Sequence, residues 1–329
     1  MRAVVLVGGQ GTRLRPLTLT TPKQMLPVAG RPMIEWVLEH LAGHGINDVV
    51  LSLGYRPDAF RQAYPDGVCR GVRLHYAVED EPLDTAGAIA FAAHHAAIDE
   101  TFVVVNGDVL TGLDITALVA FHRDRRAGAT IALTPVDDPS RFGVVATDGD
   151  GRVEAFIEKP PAGEAPTNLI NAGTYVLEPS VLGRIPAQGR VSIERVTFPA
   201  LVRDRTLFAM ASSADWVDAG TPATYLQVNL ERAGTRPVDA SAQVHPSALV
   251  SGSVIGPGVL IASAATVSGS VVLDGASIEE GATVRDSIIG WGATVGAGAT
   301  VTGGTILGEA VAVPAGETAT ARLLPAPVP

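Results

Sequence analysis

Apolar and polar positions alternate over the first two thirds of the chain in a pattern that predicts strands and helices in turn. Short apolar runs predict five strands, at Ala3–Val7, Val49–Leu53, Arg73–Ala77, Thr101–Val105 and Thr130–Thr134. Apolar residues at helical spacing predict three helices between them, at Pro32–Leu41, Thr85–Ala97 and Ile115–Arg126. This alternation is typical of an α/β fold with a mostly parallel sheet, whose ligands bind beyond the carboxyl ends of the strands.

The pattern changes after about residue 240, where Gly, Ala, Ser, Thr and Val dominate. An aliphatic residue then recurs nearly every six positions, at Ile255, Ile261, Val267, Leu273, Ile278, Val284, Ile289, Val295, Val301, Leu307 and Val313. This period indicates a hexapeptide-repeat β-helix with aliphatic ladders inside. A disordered Ala/Gly tail, the alternative, explains neither the period nor the aliphatic residues. Two five-residue steps, from Leu273 to Ile278 and from Val284 to Ile289, predict that the register slips there.

These patterns divide the chain into four predicted segments. They are an α/β domain at 1–230, a linker at 231–243, a β-helix domain at 244–320 and a loose tail at 321–329. Small side chains on flat β-helix faces allow close contact between subunits, so we also expect a homo-oligomer.

The composition, with 47% hydrophobic and 18% charged residues among 329, is that of a soluble globular protein. No apolar run reaches the roughly 18 residues of a membrane span, and no signal-peptide layout is present, so we expect no membrane partner. The single cysteine, Cys69, excludes an internal disulfide and fits a cytoplasmic location. The net charge of −10 argues against nucleic acid as a partner, although local cations can still bind a small anion.

A glycine-rich turn with two arginines, GGQGTRLRP, follows the first predicted strand at residues 8–16. It lacks the third glycine of G-x-G-x-x-G and the G-K-[ST] of a P-loop, so neither motif applies. Bare backbone N–H groups together with Arg13, Arg15 and the nearby Lys23 suit a triphosphate. A surface turn with solvated arginines is the alternative.

The longer string VLVGGQGTRLRPLTLTTPKQMLP resembles the signature of the sugar-1-phosphate nucleotidylyltransferases, also called NDP-sugar pyrophosphorylases. The resemblance covers nearly the whole chain and continues through EDEPLDTAGAI, VVNGDVL, RFGVV, FIEKP, INAGTYVLEP, SIERVTFPAL and WVDAGTP. Hexapeptide repeats also occur in that family. Within it, LVGG, EDEP, INAG and SIE-x-x-x-FP are most similar to the mannose-1-phosphate guanylyltransferases.

The resemblance implies a Rossmann-like nucleotidyltransferase domain, a left-handed β-helix and a Mg²⁺-assisted reaction. A sugar 1-phosphate, with mannose 1-phosphate favoured, attacks the α-phosphorus of GTP in line and releases pyrophosphate. The implied catalytic residues are Arg13 and Lys23, which contact phosphates, and Asp108 and Asp218, which hold the metal. Cations are needed because two polyanions must meet, whereas the attacking oxygen is already ionised. A solvated Lys23 and turn-forming aspartates are the structural alternatives.

The resemblance also implies the residues that contact each substrate. Nucleotide contacts fall on Leu6, Gly8, Gly9, Gly11, Thr12, Arg13, Glu81, Asp84, Gly87 and Asp108. Sugar-phosphate contacts fall on Gly143, Glu158, Lys159, Asn171 and Gly173, although Glu158–Lys159 is alternatively an exposed ion pair. Carboxylates near the base favour guanine, because they accept both of its edge donors. Asp84 departs from the LGTAG that related sequences usually carry, which leaves the base preference open.

Other functions stay open at this point. They are a uridylyl- or thymidylyltransferase for glucose 1-phosphate, a guanylyltransferase for a cyclitol phosphate, a non-catalytic nucleotide-sugar-binding regulatory paralogue, and an acyltransferase. The acyltransferase needs a catalytic histidine and a protruding loop in the β-helix, where only His245 occurs and no long insertion interrupts the repeats. The remaining histidines, His122 among them, lack metal-ligand spacing and are expected at helix surfaces.

Overall fold

The structure, a computed structural model, describes residues 1–187, 189–234 and 237–325. Residue 188 of the predicted α/β domain, residues 235–236 of the predicted linker and residues 326–329 of the predicted tail lie outside the described residues. Contacts divide the chain into two compact units. The first unit comprises Met1–Gly9 and Ile34–Val217, and the second comprises Gln10–Met33 and Asp218–Pro329.

Among the described residues, fourteen strands and six α-helices precede the repeats. The strands are β1 (Ala3–Leu6), β2 (Pro27–Val28), β3 (Arg31–Pro32), β4 (Asp48–Leu53), β5 (Val68–Cys69), β6 (Val72–Val78), β7 (Phe102–Asn106), β8 (Val109–Thr111), β9 (Ala129–Pro135), β10 (Gly143–Thr147), β11 (Val153–Glu158), β12 (Leu169–Leu177), β13 (Leu207–Ala211) and β14 (Trp216–Asp218). The helices are α1 (Met33–Gly43), α2 (Pro57–Ala63), α3 (Asp84–His95), α4 (Ile115–Arg125), α5 (Phe198–Arg203) and α6 (Pro222–Arg232). All five predicted strands and three predicted helices form, with ends shifted by one or two residues.

The first unit is built on a ten-stranded sheet of order β11-β10-β12-β7-β1-β4-β6-β5, which β9 and β13 join beside β12. Its centre, β7-β1-β4-β6, is parallel, with Ala3 opposite both Val49 and Val103. This confirms the predicted parallel α/β core. The outer pairs, β12 with β7 and β9 and β10 with β11, are antiparallel, an arrangement that the hydrophobic pattern did not resolve.

The central strand β1 is covered on both faces, which explains its unbroken apolar sequence. Ala3, Val4 and Val5 are completely buried. Helix α3 packs on β1 and β4, and α4 packs on β9 and β13. Helix α4 starts at Asp114, whose carboxylate accepts the backbone N–H of Ala117 at 2.9 Å. None of the described helices combines the length and apolar character that crossing a bilayer requires.

His122 corrects the expectation that the histidines lie at helix surfaces, since only 1% of its surface is exposed. Its Nδ1 lies 2.9 Å from Thr130 Oγ1, and its Nε2 lies 3.1 Å from Glu178 Oε1. Burial lowers the pKa of His122, although the Glu178 carboxylate acts in the opposite direction. The spacing of apolar residues in α4 did not indicate this buried polar network between the helix and the sheet.

The second unit carries α6 and a β-helix of three parallel five-stranded sheets, which confirms the repeat prediction. The strands are β15 (Gln243–Val244), β16 (Leu249–Ser251), β17 (Val254–Ile255), β18 (Leu260–Ile261), β19 (Thr266–Ser268), β20 (Val271–Val272), β21 (Ser277–Ile278), β22 (Thr283–Arg285), β23 (Ile288–Ile289), β24 (Thr294–Val295), β25 (Thr300–Thr302), β26 (Ile306–Leu307), β27 (Ala312–Val313), β28 (Thr318–Thr320) and β29 (Leu323–Leu324). Each sheet takes every third strand.

Five-residue steps do occur in the repeats, because most coils contain 17 residues; the coil from Ile289 to Leu307 contains 18. Ile255 pairs with Val272, and a serine hydroxyl ladder links positions 17 residues apart. Val272 rather than Leu273 therefore belongs to the ladder, and Leu273 is buried at the corner. Two adjacent apolar residues fit a six-residue period equally well, so the pattern could not distinguish them.

The predicted linker and tail contain regular structure among the described residues. Helix α6 runs to Arg232, and Val238 bridges Ile255. Leu323–Leu324 forms the last strand of its sheet, beside β26. The four predicted domain limits remain predictions.

Candidate active site

The glycine turn begins where β1 ends, at the carboxyl edge of the parallel strands. Gly8 and Gly9 are exposed, and Leu6 is half-buried. A Cβ on Gly8 would lie 3.6 Å from the backbone N of Gly54 and 3.7 Å from Glu79 Oε1. The turn therefore lies beside the ends of β4 and β6, which is where a parallel sheet binds ligands.

Glu79 is the buried carboxylate of the EDEP segment, whereas the predicted base contact Glu81 is exposed. Glu79 Oε1 accepts the hydroxyl of Ser52 at 2.9 Å, and Oε2 accepts the backbone N–H of Leu83 at 3.2 Å. The sequence reasoning missed this residue. The available signal was its position, since it is the first carboxylate after strand β6.

Asp84 occupies a left-handed backbone conformation, with φ of 61°. Glycine adopts this conformation without strain, whereas a residue with a side chain rarely does, so Asp84 is an unusual residue at this position. The Asp84 carboxylate accepts the backbone N–H of Thr85 at 2.8 Å. Gly87, one turn into α3, has no room for a side chain, because a Cβ would lie 2.9 Å from Leu83 Cβ.

Asp108 follows β7, and the preceding Gly107 brings it against the end of β1. The backbone N–H of Gly107 donates to Leu6 O at 2.9 Å, and a Cβ on Gly107 would lie 2.6 Å from Val7 Cγ1. Asp108 itself is half-buried. The glycine of NGDV thus allows a close approach between two strand ends that carry predicted site residues.

Gly143 and Glu158 face each other across the antiparallel pair β10–β11. A Cβ on Gly143 would lie 2.6 Å from Phe156 Cζ and 3.0 Å from Glu158 Oε2, so glycine keeps this carboxylate accessible. Lys159 Nζ lies 3.5 Å from Glu158 Oε1, and its side chain is 60% exposed. The first unit therefore brings these three predicted sugar contacts together.

Asn171 and Gly173 lie on the central part of β12. The Asn171 amide donates to the Tyr175 hydroxyl at 2.9 Å and accepts the backbone N–H of Gly173 at 2.9 Å. Gly173 has φ of 74°, and a Cβ there would lie 2.5 Å from Asn106 Nδ2. Burial raises the pKa of Tyr175, and the nearby carboxylates of Glu194, Glu158 and Asp108 act in the same direction.

Trp216 is a further residue that sequence reasoning did not single out. Its indole N–H donates to the backbone O of Ala172 at 2.9 Å, and its ring meets Phe142 edge-on at 5.7 Å. It therefore ties β14 to the INAG segment and to the residue before Gly143.

In the second unit, Arg13, Lys23 and Asp218 form one charged cluster. Arg13 Nη2 lies 3.8 Å from Asp218 Oδ2, and Lys23 Nζ lies 3.6 Å from Asp218 Oδ1. The Arg13 side chain is 57% exposed, whereas that of Lys23 is only 6% exposed. Gly11, with φ of 62°, packs against Thr18, and Thr12 begins a short 3-10 turn.

Gly220 lies against this cluster, and its lack of a side chain leaves room for the three charged groups. A Cβ there would lie 2.6 Å from both Arg13 Nη2 and Asp218 Oδ1, and 2.7 Å from Lys23 Nζ. Gly220 also precedes α6, whose start is fixed by a capping box between Thr221 and Thr224. The sequence reasoning noticed WVDAGTP but assigned no role to its glycine.

The chemistry of the two predicted metal ligands fits a hard divalent cation. Asp218 Oδ1 is a buried atom without a hydrogen-bond partner among the described residues, as expected for an oxygen reserved for a cation. Asp108 belongs to the first unit and Asp218 to the second. Asp108 lies two residues beyond the end of β7, and Asp218 is the last residue of β14.

Comparison with known proteins places this chain among nucleotide-transferring enzymes. Residues 2–234 match the nucleotidyl transferase family, and residues 233–323 match the GMPPB C-terminal domain. A mannose-1-phosphate guanylyltransferase of Mycobacterium tuberculosis is 42% identical over 275 residues, which cover 79% of this chain and 76% of that protein. A mannose-1-phosphate guanyltransferase of Emericella nidulans is 43% identical over 232 residues, covering 69% of this chain and 62% of that protein. HddC from Yersinia pseudotuberculosis complexed with GMP-PN matches with a TM-score of 0.60 at 29% identity, covering 70% of this chain and 98% of that one.

Proposed function

The chain belongs to the nucleotidyl transferase family, and from this premise we propose that it transfers a guanylyl group from GTP to mannose 1-phosphate, giving GDP-mannose and pyrophosphate. The relatives named mannose-1-phosphate guanylyltransferases support this substrate pair. The observation that carries the proposal is the Arg13–Lys23–Asp218 cluster around Gly220, which gathers two cations and one carboxylate for a polyphosphate.

Charge neutralisation is the main task of such a site. The two substrates together carry roughly six negative charges near neutral pH. Arg13, with an exposed guanidinium, binds the β- and γ-phosphates and stabilises pyrophosphate as it leaves. Lys23, held by the cluster, contacts the α-phosphate, where the oxygen of the sugar phosphate attacks as the bond to the β-phosphate breaks.

Asp108 and Asp218 would hold Mg²⁺. When bound, the ion supplies positive charge and orientation to phosphate oxygens. The chain's own contribution is to fix these two carboxylates, Asp108 by the Gly107 contact with β1 and Asp218 by the charged cluster.

Guanine recognition is assigned to the β6–α3 segment. Glu79 already accepts two hydrogen bonds, and its carboxylate has further lone pairs that can accept the N1–H and amine of guanine. Glu79 lies beside Gly8 of the glycine turn, whereas Glu81 is exposed. Glu79 is therefore the better candidate for the contact to the base. Asp84 lies at the start of α3, where its carboxylate accepts the backbone N–H of Thr85.

Sugar recognition is assigned to the β10–β12 region. Glu158 accepts sugar hydroxyls, Asn171 both donates and accepts, and the exposed Lys159 binds the phosphate. Gly143 and Gly173 allow the sugar ring to approach the backbone, since a side chain at either position would collide with its neighbours. We also propose that the enzyme is a cytoplasmic homo-oligomer. The flat β-helix faces support contact between subunits, and the single cysteine supports the cytoplasmic location.

A grid of GTP, ATP, UTP and dTTP against mannose 1-phosphate and glucose 1-phosphate tests the proposal, with pyrophosphate release measured in Mg²⁺. We expect kcat/KM for GTP with mannose 1-phosphate to exceed every other pair by at least about tenfold, which corresponds to roughly one bidentate contact to the correct base. A best rate with UTP or dTTP and glucose 1-phosphate would contradict it. GDP-mannose binding without turnover of any pair would favour the regulatory paralogue.

A further inference from the structure

Glu194, which none of the implied roles uses, is hydrogen-bonded to the start of helix α3. Its Oε2 accepts the hydroxyl of Thr85 at 2.8 Å and that of Ser192 at 2.6 Å. Glu194 lies in a single π-helical turn, Ile193–Thr197, and is half-buried. Isolated π turns are frequent at functional sites.

The same segment also satisfies the backbone at the start of α3. A helix start leaves several N–H groups without intrahelical partners, and Leu83 at the N-cap has no side chain that could accept one. The carbonyl of Val191 instead accepts the N–H groups of Ala86 at 2.8 Å and Gly87 at 3.2 Å. In return, the Thr85 hydroxyl accepts the backbone N–H of Ile193 at 2.8 Å.

The charge of Glu194 decides how these hydrogen bonds are oriented. An ionised carboxylate is an acceptor only, so both the Thr85 and Ser192 hydroxyls must donate to it. The lone pairs of the Thr85 oxygen then remain available for the N–H of Ile193. The segment 191–194 and the first turn of α3 are thereby joined in one arrangement.

We propose that Glu194 is a positioning residue for nucleobase selection. By fixing Thr85 it fixes the start of α3 and, through Leu83, the segment on which Glu79 and Asp84 lie. This inference rests on the proposed function, because it assumes that the segment reads the base. Glu194 itself does not contact the base in this proposal; it sets how accurately the base-reading segment is held.

The first test compares Glu194→Ala with Glu194→Gln in the full chain. Loss of two hydrogen bonds to a charged acceptor should raise KM for GTP by about tenfold and reduce the GTP-to-UTP ratio of kcat/KM by a similar factor. Glu194→Gln keeps an oxygen that accepts both hydroxyls and should restore most of the ratio. An unchanged GTP-to-UTP ratio in Glu194→Ala would overturn the proposal.

Glu178 offers a matched control. It is a half-buried carboxylate of the same unit that accepts the Thr101 hydroxyl at 2.7 Å and contacts His122 Nε2 at 3.1 Å. Glu178→Ala should lower thermal stability without changing the GTP-to-UTP ratio. An equal change of that ratio in both variants would mean that general destabilisation, rather than positioning, is responsible.

A second measurement does not depend on turnover. Amide hydrogen exchange at Ala86 and Gly87 should accelerate by about tenfold in Glu194→Ala and return towards wild type in Glu194→Gln. Thr85→Val removes the same hydrogen bond from the other side and replaces Glu194→Ala if that variant does not fold. If the wild-type chain turns over no substrate pair, the proposed function fails. Unchanged amide exchange in Glu194→Ala and in Thr85→Val would instead overturn the positioning role itself.

Discussion

Asp84 combines a backbone conformation that favours glycine with a carboxylate at the start of a helix. Asp84→Gly should relieve the strain of φ 61° but lose the hydrogen bond to Thr85, so we expect stability to change by less than about 1 kcal/mol. If the carboxylate contributes to base selection, the ratio of kcat/KM for GTP over UTP should change by at least about threefold. Asp84→Asn, which tolerates the same φ and keeps an acceptor, is the control for charge. Unchanged ratios in Asp84→Gly would remove Asp84 from base recognition.

Gly220 tests whether the charged cluster acts as a unit. Its φ is not in the left-handed region, so the backbone accepts alanine, but the new Cβ would lie 2.6 Å from Arg13 Nη2 and Asp218 Oδ1. Displacing these groups by about 1 Å should lower kcat by about 100-fold while the fold persists. Gly149→Ala, where a Cβ meets nothing within 4 Å, should retain wild-type kcat. Near-normal kcat in Gly220→Ala would show that the cluster does not need this geometry.

His122 predicts a pH dependence of stability. Its pKa is lowered in the folded state relative to an unfolded value of about 6.5, so the unfolded state binds more protons as the pH falls below that value. The stability from neutral His122 is therefore complete above about pH 7 and declines as the solution becomes more acidic. Urea unfolding at pH 7.5 and 5.5 should show a smaller loss in His122→Gln than in wild type. The exposed His94 supplies the control, since His94→Gln should leave the loss unchanged.

Residue types and motif order could be read from the sequence, but the direction of each side chain could not. EDEP contains three carboxylates, and only burial beside Gly8 distinguishes Glu79 from the exposed Glu81. The roles of Gly220 and Glu194 depend on contacts with residues that are distant in sequence, such as Arg13 and Thr85. No periodicity encodes such contacts.

At the scale of elements, a buried hydroxyl ladder holds one corner of the β-helix. Ser270 is completely buried, donates to Ser268 O at 2.7 Å and accepts the N–H of Ser287 at 3.1 Å. Ser270→Ala leaves that N–H without a partner and should destabilise the β-helix by about 1–3 kcal/mol, measured as a shift of the urea midpoint. Ser277→Ala, on an outward strand position, should stay within about 0.5 kcal/mol of wild type. Equal stability of both variants would mean that the ladder contributes nothing.

Element types were predictable because burial imposes a period, whereas pairing was not. The parallel centre follows from strand–helix alternation, but the antiparallel strands β10 to β12 follow one another without helices and show no distinct period. In the β-helix, the 17-residue coil was obscured by Val272 and Leu273, which are both apolar and both buried.

At the scale of the whole molecule, a segment near the amino terminus and the carboxyl-terminal third of the chain belong to one compact unit. The segment Gln10–Met33, which carries Arg13 and Lys23, groups with the β-helix rather than with the first unit. Helix α6 connects them, since the Tyr225 hydroxyl donates to Pro27 O and the Asn229 side chain accepts the N–H of Ala29 at 2.9 Å. The same helix contacts strand β20 of the β-helix. The β-helix is therefore in a position to influence the segment that we propose binds the phosphates, in addition to any role in oligomerisation.

Gly308 provides a test of that influence from the far end of the chain. A Cβ at Gly308 would lie 3.1 Å from Pro16 Cβ, three residues after Arg13, and 3.2 Å from Pro325 Cδ. Gly308→Ala should therefore shift the Pro16 segment by a few tenths of an ångström and lower kcat/KM for GTP several-fold, and Gly308→Val should lower it further. Ala312→Val adds methyl groups to an exposed position of the same coil and should leave kcat/KM unchanged. The graded loss of kcat/KM is expected because each larger side chain at Gly308 presses harder on Pro16. Equal losses of kcat/KM in Gly308→Val and Ala312→Val would show that the repeats affect catalysis only through general stability.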